Sequence, residues 1–295
     1  MTENLPKTWQ LANRSLVFDR RPLIMGIVNV TPDSFSDGGQ FDTTEKAVAH
    51  GRELARNGAD ILDIGGESTR PGSQPVSSQE EIDRVAPVVE SLAKEIDVPI
   101  SVDTSKADVA RTCVALGAEI INDVAGFRGD PDMVEVAAKT NAGLVVMHML
   151  GSPRTMQQDP QYEEVVRDVR DFLAERVQAL ESSGVSKAKI VVDPGIGFGK
   201  KLGHNLDLVR HLSEFRELGL PILLGVSRKS FIDKVLGRET HERLAGSLAV
   251  ACFAMSRNSV DILRVHDVPE TSDVVRMWQQ LGKREEGTGN SRKRS

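Results

Sequence analysis

Aromatic residues and cysteines are scarce in this chain of 295 residues. Aromatic side chains make up 4% of it and there are two cysteines, whereas hydrophobic residues reach 39%. Aliphatic side chains must therefore fill the core, and the low cysteine content excludes a secreted fold stapled by disulfides. Cys113 and Cys252 both fall in helical patterns without a CxxC spacing, so we expect two reduced thiols buried in the core.

Long apolar runs and an excess of positive charge are also missing. No run approaches the roughly 18 apolar residues of a membrane helix, and the first residues lack the pattern of a signal peptide. The 37 Lys and Arg residues stand against 43 Asp and Glu residues, a net charge of -6. This balance gives no general attraction to nucleic acid or to an anionic membrane. We expect a cytoplasmic protein whose anion-binding groups are gathered locally.

Eight short runs rich in β-branched residues recur along the chain, and segments of helical period lie between them. The runs are 23–30, 61–66, 99–104, 119–124, 144–149, 189–194, 221–226 and 261–266. Such runs are typical of parallel strands that are buried on both faces. Eight alternations favour an α/β protein with a single TIM (β/α)8 barrel over an open, doubly wound sheet.

Two segments lie outside this repeat, and one proline interrupts it. Residues 1–20 contain a predicted short N-terminal hairpin, which we expect at the bottom of the barrel. Pro87 falls inside the helical segment 78–96, which we predict to be one kinked helix. Residues 283–295 have no apolar period, so we predict a flexible, disordered C-terminal tail after a barrel domain that spans residues 1–282.

Functional side chains follow the predicted strands at the end where barrel enzymes hold their active sites. In chain order they are Asn29, Asp63 with Glu67, Asp103, Asn122, Met147 with His148, Asp193, Ser227 with Lys229, and Arg264 with His266. A single Asp or Asn at such a position is more often a strand-end cap. Such side chains at the ends of all eight predicted strands instead predict an enzyme active site.

Two of these residues predict an anion site. Arg264 and His266 alternate along the eighth strand, so both point to one side, where barrel closure brings them near Asn29. Arginine offers a fork of N–H donors that suits phosphate oxygens. The alternative is a structural Arg264 paired with Asp267. The carboxamide oxygen of Asn29 could also ligate Mg²⁺ that bridges substrate phosphates.

Other strand-end residues combine hydrogen-bond acceptors with donors, namely Asp103, Asn122, Asp193 and Lys229. This set suits the edge of a nitrogen heterocycle that carries N–H donors and a carbonyl group. For Asp193 and Lys229, a buried structural ion pair fits the spacing equally well.

Two long loops, 31–42 and 66–77, follow the first two predicted strands. Both mix Gly, Pro and Ser with reactive polar groups. Loops of this length in a compact domain are often lids over an active site, and solvated linkers are the alternative. We favour lids.

The motifs taken together resemble those of the dihydropteroate synthase family, across residues 22–268. They are IMGIVNVTPDSFSDGG, DIGGESTRPG, SVDTSK, INDV, MHM-x-G-x-P-x-x-M-Q from Met147 to Gln157, DPGIGFGK, GVSRKSF and RVHDV. Each motif alone is weak. Eight of them in order, without a departure at the motif positions, make a specific pattern.

The resemblance implies an enzyme that joins p-aminobenzoate to dihydropterin pyrophosphate, giving 7,8-dihydropteroate and pyrophosphate in folate synthesis. It also implies Mg²⁺ as cofactor and a homodimer. The implied pterin contacts are Asp103, Asn122, Met147, Asp193, Phe198, Gly225 and Lys229. Pyrophosphate is expected at Asn29, Arg70, Arg264 and His266, with Asn29 as the metal ligand. The implied p-aminobenzoate contacts are Phe35, Thr69, Arg70, Pro71 and Ser230. Catalytic roles fall to Asn29, Asp33, Arg70, Lys229, Arg264 and His266.

The expected mechanism is ionisation. Pyrophosphate leaves first, and the aromatic amine then attacks a delocalised pterin cation, near which Asp33 would add negative charge. Ser230 is expected to begin a helix after the seventh strand, so that the aminobenzoate carboxylate lies at a helix N-terminus.

Two other functions stay open from the sequence. A corrinoid methyltransferase-type barrel shares the pterin-reading strands but does not need the pyrophosphate site or the STRPG loop. A noncatalytic, pterin-binding paralogue is expected to carry damaged lids, and both lid sequences are intact here.

Overall fold

The structure, a computed structural model, describes residues 8–18, 21–31, 40–68 and 72–282, with the backbone alone at 40–42. An antiparallel hairpin consists of β1 (Thr8–Gln10) and β2 (Ser15–Val17). The barrel strands are β3 (Leu23–Asn29), β4 (Ile61–Gly65), β5 (Ile100–Asp103), β6 (Ile120–Asp123), β7 (Gly143–Met147), β8 (Ile190–Asp193), β9 (Leu223–Leu224) and β10 (Ile262–Val265). They coincide with the eight runs that the sequence predicted.

Helices cover the outside of the strands. They are α1 (Gln40–Arg56), α2 (Ser78–Glu95), α3 (Ala107–Ala115), α4 (Met133–Lys139), α5 (Val165–Ser182), α6 (Leu202–Arg210), α7 (Ser230–Leu236), α8 (Leu244–Ser256) and α9 (Val268–Gly282). In α2, Val85, Val88 and Leu92 are completely buried in the core between helices and strands. Because these residues recur at helical spacing, they form one apolar stripe. Pro87 lies inside α2, which continues past it as one element.

The sheet closes into a barrel, as predicted. The strand order is β8-β7-β6-β5-β4-β3-β10-β9, and neighbouring strands are parallel. The two end strands meet at a parallel bridge between Val192 and Ile222, where the Val192 N–H donates to the carbonyl oxygen of Pro221 at 3.0 Å. Closure gives both edge strands a partner, which an open doubly wound sheet does not do.

The hairpin plugs the lower end of the barrel, also as predicted. Trp9 and Leu11 join the apolar cluster that fills this end of the barrel interior. Trp9 is completely buried, and its indole Nε1 donates to the carbonyl oxygen of Lys189 at 2.7 Å. The tail 283–295 lies outside the described residues, and its disorder stays a prediction. Of the helices that the structure describes, none combines the length and the hydrophobicity needed to cross a bilayer.

The two cysteines differ in their surroundings. Cys113 on α3 is buried, and burial raises the pKa of its thiol to about 12. Cys252 on α8 is exposed. The prediction of a core thiol is therefore wrong for Cys252. Helix α8 is apolar on all sides (LAGSLAVACFAMS), so its sequence has no polar stripe that would indicate the outward face.

Candidate active site

The barrel interior changes from apolar to polar along the strands. The apolar layer includes Ile61, Ile120, Val191 and Ile262. Because side chains alternate along a strand, the next interior positions lie two residues farther on. They are Asp63, Asn122, Asp193 and Arg264, and β5 adds Asp103, which lies opposite Asn122 in the register. The polar layer therefore lies towards the C-terminal ends of the strands.

Arg264 binds two carboxylates of this layer. Its Nε donates to Asp63 Oδ2 and its Nη2 donates to Asp103 Oδ2, both at 2.6 Å. The Asn122 amide donates to the same Asp63 oxygen at 2.9 Å. Burial opposes the charge of Arg264, but the two carboxylates outweigh it and raise the pKa of the guanidinium. Since the Asp63 side chain is fully buried, this pairing compensates a carboxylate that would otherwise be costly.

This placement differs from the structural pairing with Asp267 that the sequence left open for Arg264. The alternative partner, Asp267, instead accepts a hydrogen bond at 3.0 Å from Nε of Arg228. The role of Arg264 in binding an anion with Asn29 stays a prediction, and its guanidinium lies among the residues predicted to bind a heterocycle. The reason is Asp63, whose buried carboxylate attracts the nearest cation. The sequence placed Asp63 in the ring but gave it no role, although a carboxylate at an interior position of the run ILDIG was a usable signal.

Two carboxylate oxygens in this layer have unused acceptor capacity. Oδ1 of Asp63 and Oδ1 of Asp103 are buried and have no hydrogen-bond partner among the described residues. Burial raises the pKa of Asp103 to about 7. The positive charge of Arg264 opposes this rise in pKa, whereas Asp63 and other nearby carboxylates add to it. Buried acceptors without a partner are uncommon in proteins. They suit the N–H donors of a bound molecule.

Asp193 and Lys229 lie close together, but each has its own hydrogen-bond partner. Asp193 Oδ1 accepts the N–H of Gly195 at 2.7 Å, while Lys229 Nζ donates to the carbonyl oxygen of Ile196. Burial raises the pKa of Asp193, against the effect of Lys229. Burial lowers the pKa of Lys229 to about 8, against the effect of Asp193. The two groups interact electrostatically, and the hydrogen bonds described for them go to the backbone.

Apolar groups border the polar layer on the side of Lys229. Met147 at the end of β7 packs in a small cluster with Met149 and Met156, and half-buried Phe198 contacts this cluster. Nζ of Lys229 lies 4.6 Å from the centroid of the Phe198 ring. A Cβ at Gly225 would lie 3.7 Å from Nζ of Lys229 and 3.8 Å from Cβ of Arg264. A side chain at position 225 would therefore contact both Lys229 and Arg264.

His266 lies two residues beyond Arg264 and directly follows β10. Its backbone N–H lies 3.2 Å and its ring Nδ1 3.1 Å from Oγ of Ser227. Asn29 ends β3, the strand paired with β10, so the predicted adjacency of these strands is confirmed. Ser230 is the first residue of α7, as predicted. The structure brings Asn29, Ser230, Arg264 and His266 to one end of the barrel.

Five of the predicted site residues lie outside the described residues, namely Asp33, Phe35, Thr69, Arg70 and Pro71. The parts of the second predicted lid that are described are attached to the barrel. Nζ of Lys106 donates to Glu67 at 2.7 Å, and Oε1 of Glu67 accepts the N–H of Val76 at 3.1 Å. The lid function of both loops stays a prediction.

Known proteins match this chain over most of its length. The model of a family described as pterin binding enzyme matches residues 25–266. Dihydropteroate synthase of Escherichia coli (strain K12) is 47% identical over 256 residues, which cover 87% of this chain and 90% of that protein.

Two solved structures agree with this fold. The structure of Xanthomonas albilineans dihydropteroate synthase with 4-aminobenzoic acid has a TM-score of 0.88 at 47% identity, covering 94% of this chain and 98% of that one. The same enzyme in complex with 7,8-dihydropteroate has a TM-score of 0.84 at 45% identity, covering 93% and 98%. The chain thus belongs to the dihydropteroate synthase family of pterin-binding enzymes.

Proposed function

We propose that this protein condenses 6-hydroxymethyl-7,8-dihydropterin pyrophosphate with p-aminobenzoate to 7,8-dihydropteroate and pyrophosphate, a transfer step of folate biosynthesis in the cytoplasm. The observation that carries the proposal is the buried polar layer at the C-terminal ends of the strands, with its open acceptors on Asp63 and Asp103. The relatives named dihydropteroate synthase, one of them solved with 7,8-dihydropteroate, favour this reaction over corrinoid methyl transfer.

The pterin occupies the polar layer in this proposal. Its N–H donors face Asp103 and Asp193, which supply acceptors whether or not burial keeps them protonated, because a carboxylic acid retains an acceptor oxygen. Asn122 can donate as well as accept, and Lys229 donates to the pterin carbonyl. Met147 and Phe198 form the apolar wall, and Gly225 leaves room for the ring.

The pyrophosphate lies beside the pterin, near Asn29, Arg264 and His266. Since Arg264 already pairs with two carboxyl groups, we infer that its charge alone does not hold a pyrophosphate. Arg70, which lies outside the described residues, is the second predicted guanidinium. It would add the charge that this site lacks.

Mg²⁺ is the proposed cofactor, with Asn29 as its protein ligand. A carboxamide oxygen suits this hard cation. Within the described ranges, no three His, Cys, Asp or Glu side chains are grouped so that they could hold a metal ion. With substrate bound, Asn29 would hold the ion together with oxygens of the pyrophosphate, and Mg²⁺ would keep water as further ligands. When bound, the ion would offset charge on the leaving pyrophosphate.

The p-aminobenzoate enters from the side of Ser230, the residue next to Lys229. Phe35, Thr69, Arg70 and Pro71 are its other predicted contacts, and these residues lie in the two loops that are predicted to be lids. The two substrates would thus meet above Lys229, with the pterin inside the barrel and the aminobenzoate at its rim.

The reaction is proposed to be dissociative. The bond between the pterin methylene carbon and the pyrophosphate oxygen breaks first, and its electron pair leaves with the pyrophosphate. The aminobenzoate nitrogen then attacks the methylene carbon with its lone pair and loses a proton to the released pyrophosphate. Asp63, Asp103 and Asp193 place carboxyl groups beside the ring, and any that are ionised stabilise the positive charge that develops there. Asp33, which lies outside the described residues, is a further predicted contributor of negative charge.

The direct test is pyrophosphate release from the dihydropterin pyrophosphate, followed with dihydropteroate formation. We expect both products only when p-aminobenzoate is present, and a loss of at least about 100-fold in rate when EDTA removes Mg²⁺. A protein that binds the pterin but forms no aminobenzoate-dependent product would be the noncatalytic paralogue. Methyl transfer to a corrinoid would support the other alternative.

We also propose a homodimer, formed through α7 and α8. Val235 and Leu236 on α7 are 56% and 50% exposed. On the neighbouring α8, Ala249 and Cys252 are exposed although the helix is apolar on all sides. Contiguous exposed apolar surface commonly marks a protein interface. A second copy of the chain is the partner that the family resemblance implied.

The proposed interface can be tested by placing a charged side chain in it. Ala249→Glu should convert the dimer to a monomer, because the interface would bury an unpaired carboxylate. Light scattering after gel filtration measures the mass directly. Leu281→Glu is the matched control, since Leu281 is 80% exposed on α9. A wild-type mass of one chain, or an unchanged dimer in Ala249→Glu, would contradict this interface.

A further inference from the structure

Lys200, the last residue of the motif DPGIGFGK, is a buried lysine to which the proposed reaction gives no role. It is 1% exposed. Its Nζ donates to the carbonyl oxygens of Gly195 at 2.8 Å and Phe198 at 2.9 Å, and lies 2.9 Å from Nδ1 of His148. Burial lowers the pKa of Lys200, against the effect of Asp193. An amine at this depth is costly unless such contacts compensate it.

The loop from Pro194 to Lys200 is bound along its whole length by side chains. It lies outside helices and strands, yet each carbonyl oxygen from Gly195 to Gly199 accepts a hydrogen bond from a side chain. The donors, in order of the carbonyl groups, are Lys200, Lys229, Gln157, Lys200 and Tyr162. A loop bound in this way is held in one conformation.

Lys200 joins this loop to the neighbouring one. Gly195 has a left-handed backbone (φ +67), and a Cβ there would collide with the carbonyl oxygen of His148, so the two loops are in direct contact. Burial, followed by the charge of Lys200, lowers the pKa of His148 to about 2. His148 is therefore neutral, and its Nδ1 can accept a hydrogen bond from Nζ of Lys200.

We propose that Lys200 is a positioning residue for the pterin site. It holds the loop from inside the protein, and Gln157 holds the same loop from the surface through a 2.7 Å hydrogen bond to the Gly197 carbonyl oxygen. The loop in turn presents two groups to Lys229: the carbonyl oxygen of Ile196 and the ring of Phe198. The inference rests on the proposed function, in which Lys229 and Phe198 contact the pterin.

The test is Lys200→Met, which keeps the length of the side chain and removes its donors. We expect the KM for the dihydropterin pyrophosphate to rise about tenfold or more, because small displacements of binding groups cost this much. The KM for p-aminobenzoate should change less than about twofold, since the predicted aminobenzoate contacts lie on the two predicted lid loops and at the start of α7. A general loss of folded enzyme would change neither KM and would lower only the apparent kcat.

Lys201→Met is the matched control. Lys201 is the next residue in the chain, is exposed, and pairs with Asp159 at 2.7 Å. Both KM values should stay at the wild-type level. A folded Lys200→Met enzyme with a wild-type pterin KM, or with both KM values raised equally, would overturn the proposal.

If Lys200→Met does not fold, Gln157→Leu tests the same loop. Gln157 is exposed, so its loss removes a contact to the loop without touching the core. We expect the pterin KM alone to rise about threefold, and an unchanged pterin KM would then count against the proposal. A wild-type protein that forms no dihydropteroate would speak against the proposed function and not against the role of Lys200.

Discussion

Arg264→Ala is expected to lower kcat/KM for the dihydropterin pyrophosphate by about 1000-fold or more. A guanidinium that stabilises charge on a leaving phosphate group is commonly worth about that much. In this protein Arg264 also pairs with Asp63 and Asp103, so its loss leaves two buried carboxyl groups without their cation beside the place where a pyrophosphate must bind. Pterin affinity should therefore fall together with turnover. Steady-state kinetics and calorimetric binding of the pterin separate the two effects.

The same substitution should change how stability depends on pH. Without Arg264 the pKa of Asp103, already raised to about 7, should rise further. A carboxyl group with a raised folded pKa favours folding when it is protonated, and this contribution is lost as the pH rises from the unfolded to the folded pKa. For wild-type Asp103 that loss is complete near pH 7. In the variant it continues above pH 7, so the free energy of unfolding should fall more steeply between pH 7 and 8.

Arg21→Ala provides the matched control for this prediction. Arg21 makes a bidentate pair with Asp60, with both distances 2.6 Å, and both residues precede their strands at the opposite end of the barrel. Its removal should lower stability while kcat/KM stays within about twofold of the wild-type value. An Arg264→Ala enzyme that retains turnover within about tenfold of wild type would remove Arg264 from the reaction.

The fold could be predicted from the sequence because each barrel strand is a separate apolar run. Burial on both faces makes such runs distinct. Their alternation with helices indicates the barrel topology. Helix α8 shows the limit of this reasoning. Its apolar residues have no helical period, so the sequence could not indicate that Cys252 faces outward. The signal is absent because both sides of the helix are apolar.

The sequence could predict which residues form the candidate site, but only part of the contacts between them. Alternation along β10 placed Arg264 inside the barrel, but its partner Asp63 is 201 residues away in sequence. Only the register between strands brings them together, and no local spacing contains that information. The loop residues Phe35, Thr69, Arg70 and Pro71 could be assigned through the resemblance alone, because Gly- and Ser-rich loops have no periodicity from which a position follows.

Asp193→Asn is the substitution expected to weaken pterin binding most selectively. Asparagine keeps the size of the side chain and the oxygen that accepts the Gly195 N–H. It replaces the other oxygen with a donor, which would face the N–H donors of the pterin. Losing a charged acceptor in a buried site costs about 1.5–3 kcal/mol, and the unsatisfied donors add to this. We expect the Kd for the pterin, measured by calorimetry without p-aminobenzoate, to rise about 100-fold.

Asp123→Asn separates contact with the ligand from burial of a carboxylate. Asp123 is also fully buried at a strand end, and it accepts the N–H groups of Ala125 and Phe127, both at 2.7 Å. It follows Asn122, so it points to the other face of the sheet. Its substitution should alter stability and leave the Kd for the pterin unchanged. Equal effects of the two substitutions on the Kd would contradict a direct role for Asp193.

The loss of Asp193 should also be visible in the pH profile. Burial lowers the pKa of Lys229 to about 8, and the charge of Asp193 opposes this more than any other group. Asp193→Asn removes that opposition, so the pKa of Lys229 should fall below 8 and its ammonium form should be lost at lower pH. Because Lys229 donates to the pterin in the proposed site, the basic limb of kcat/KM should move to lower pH. If the basic limb moves to lower pH in Asp193→Asn and stays unchanged in Asp123→Asn, the carboxylate of Asp193 stabilises the ammonium form of Lys229.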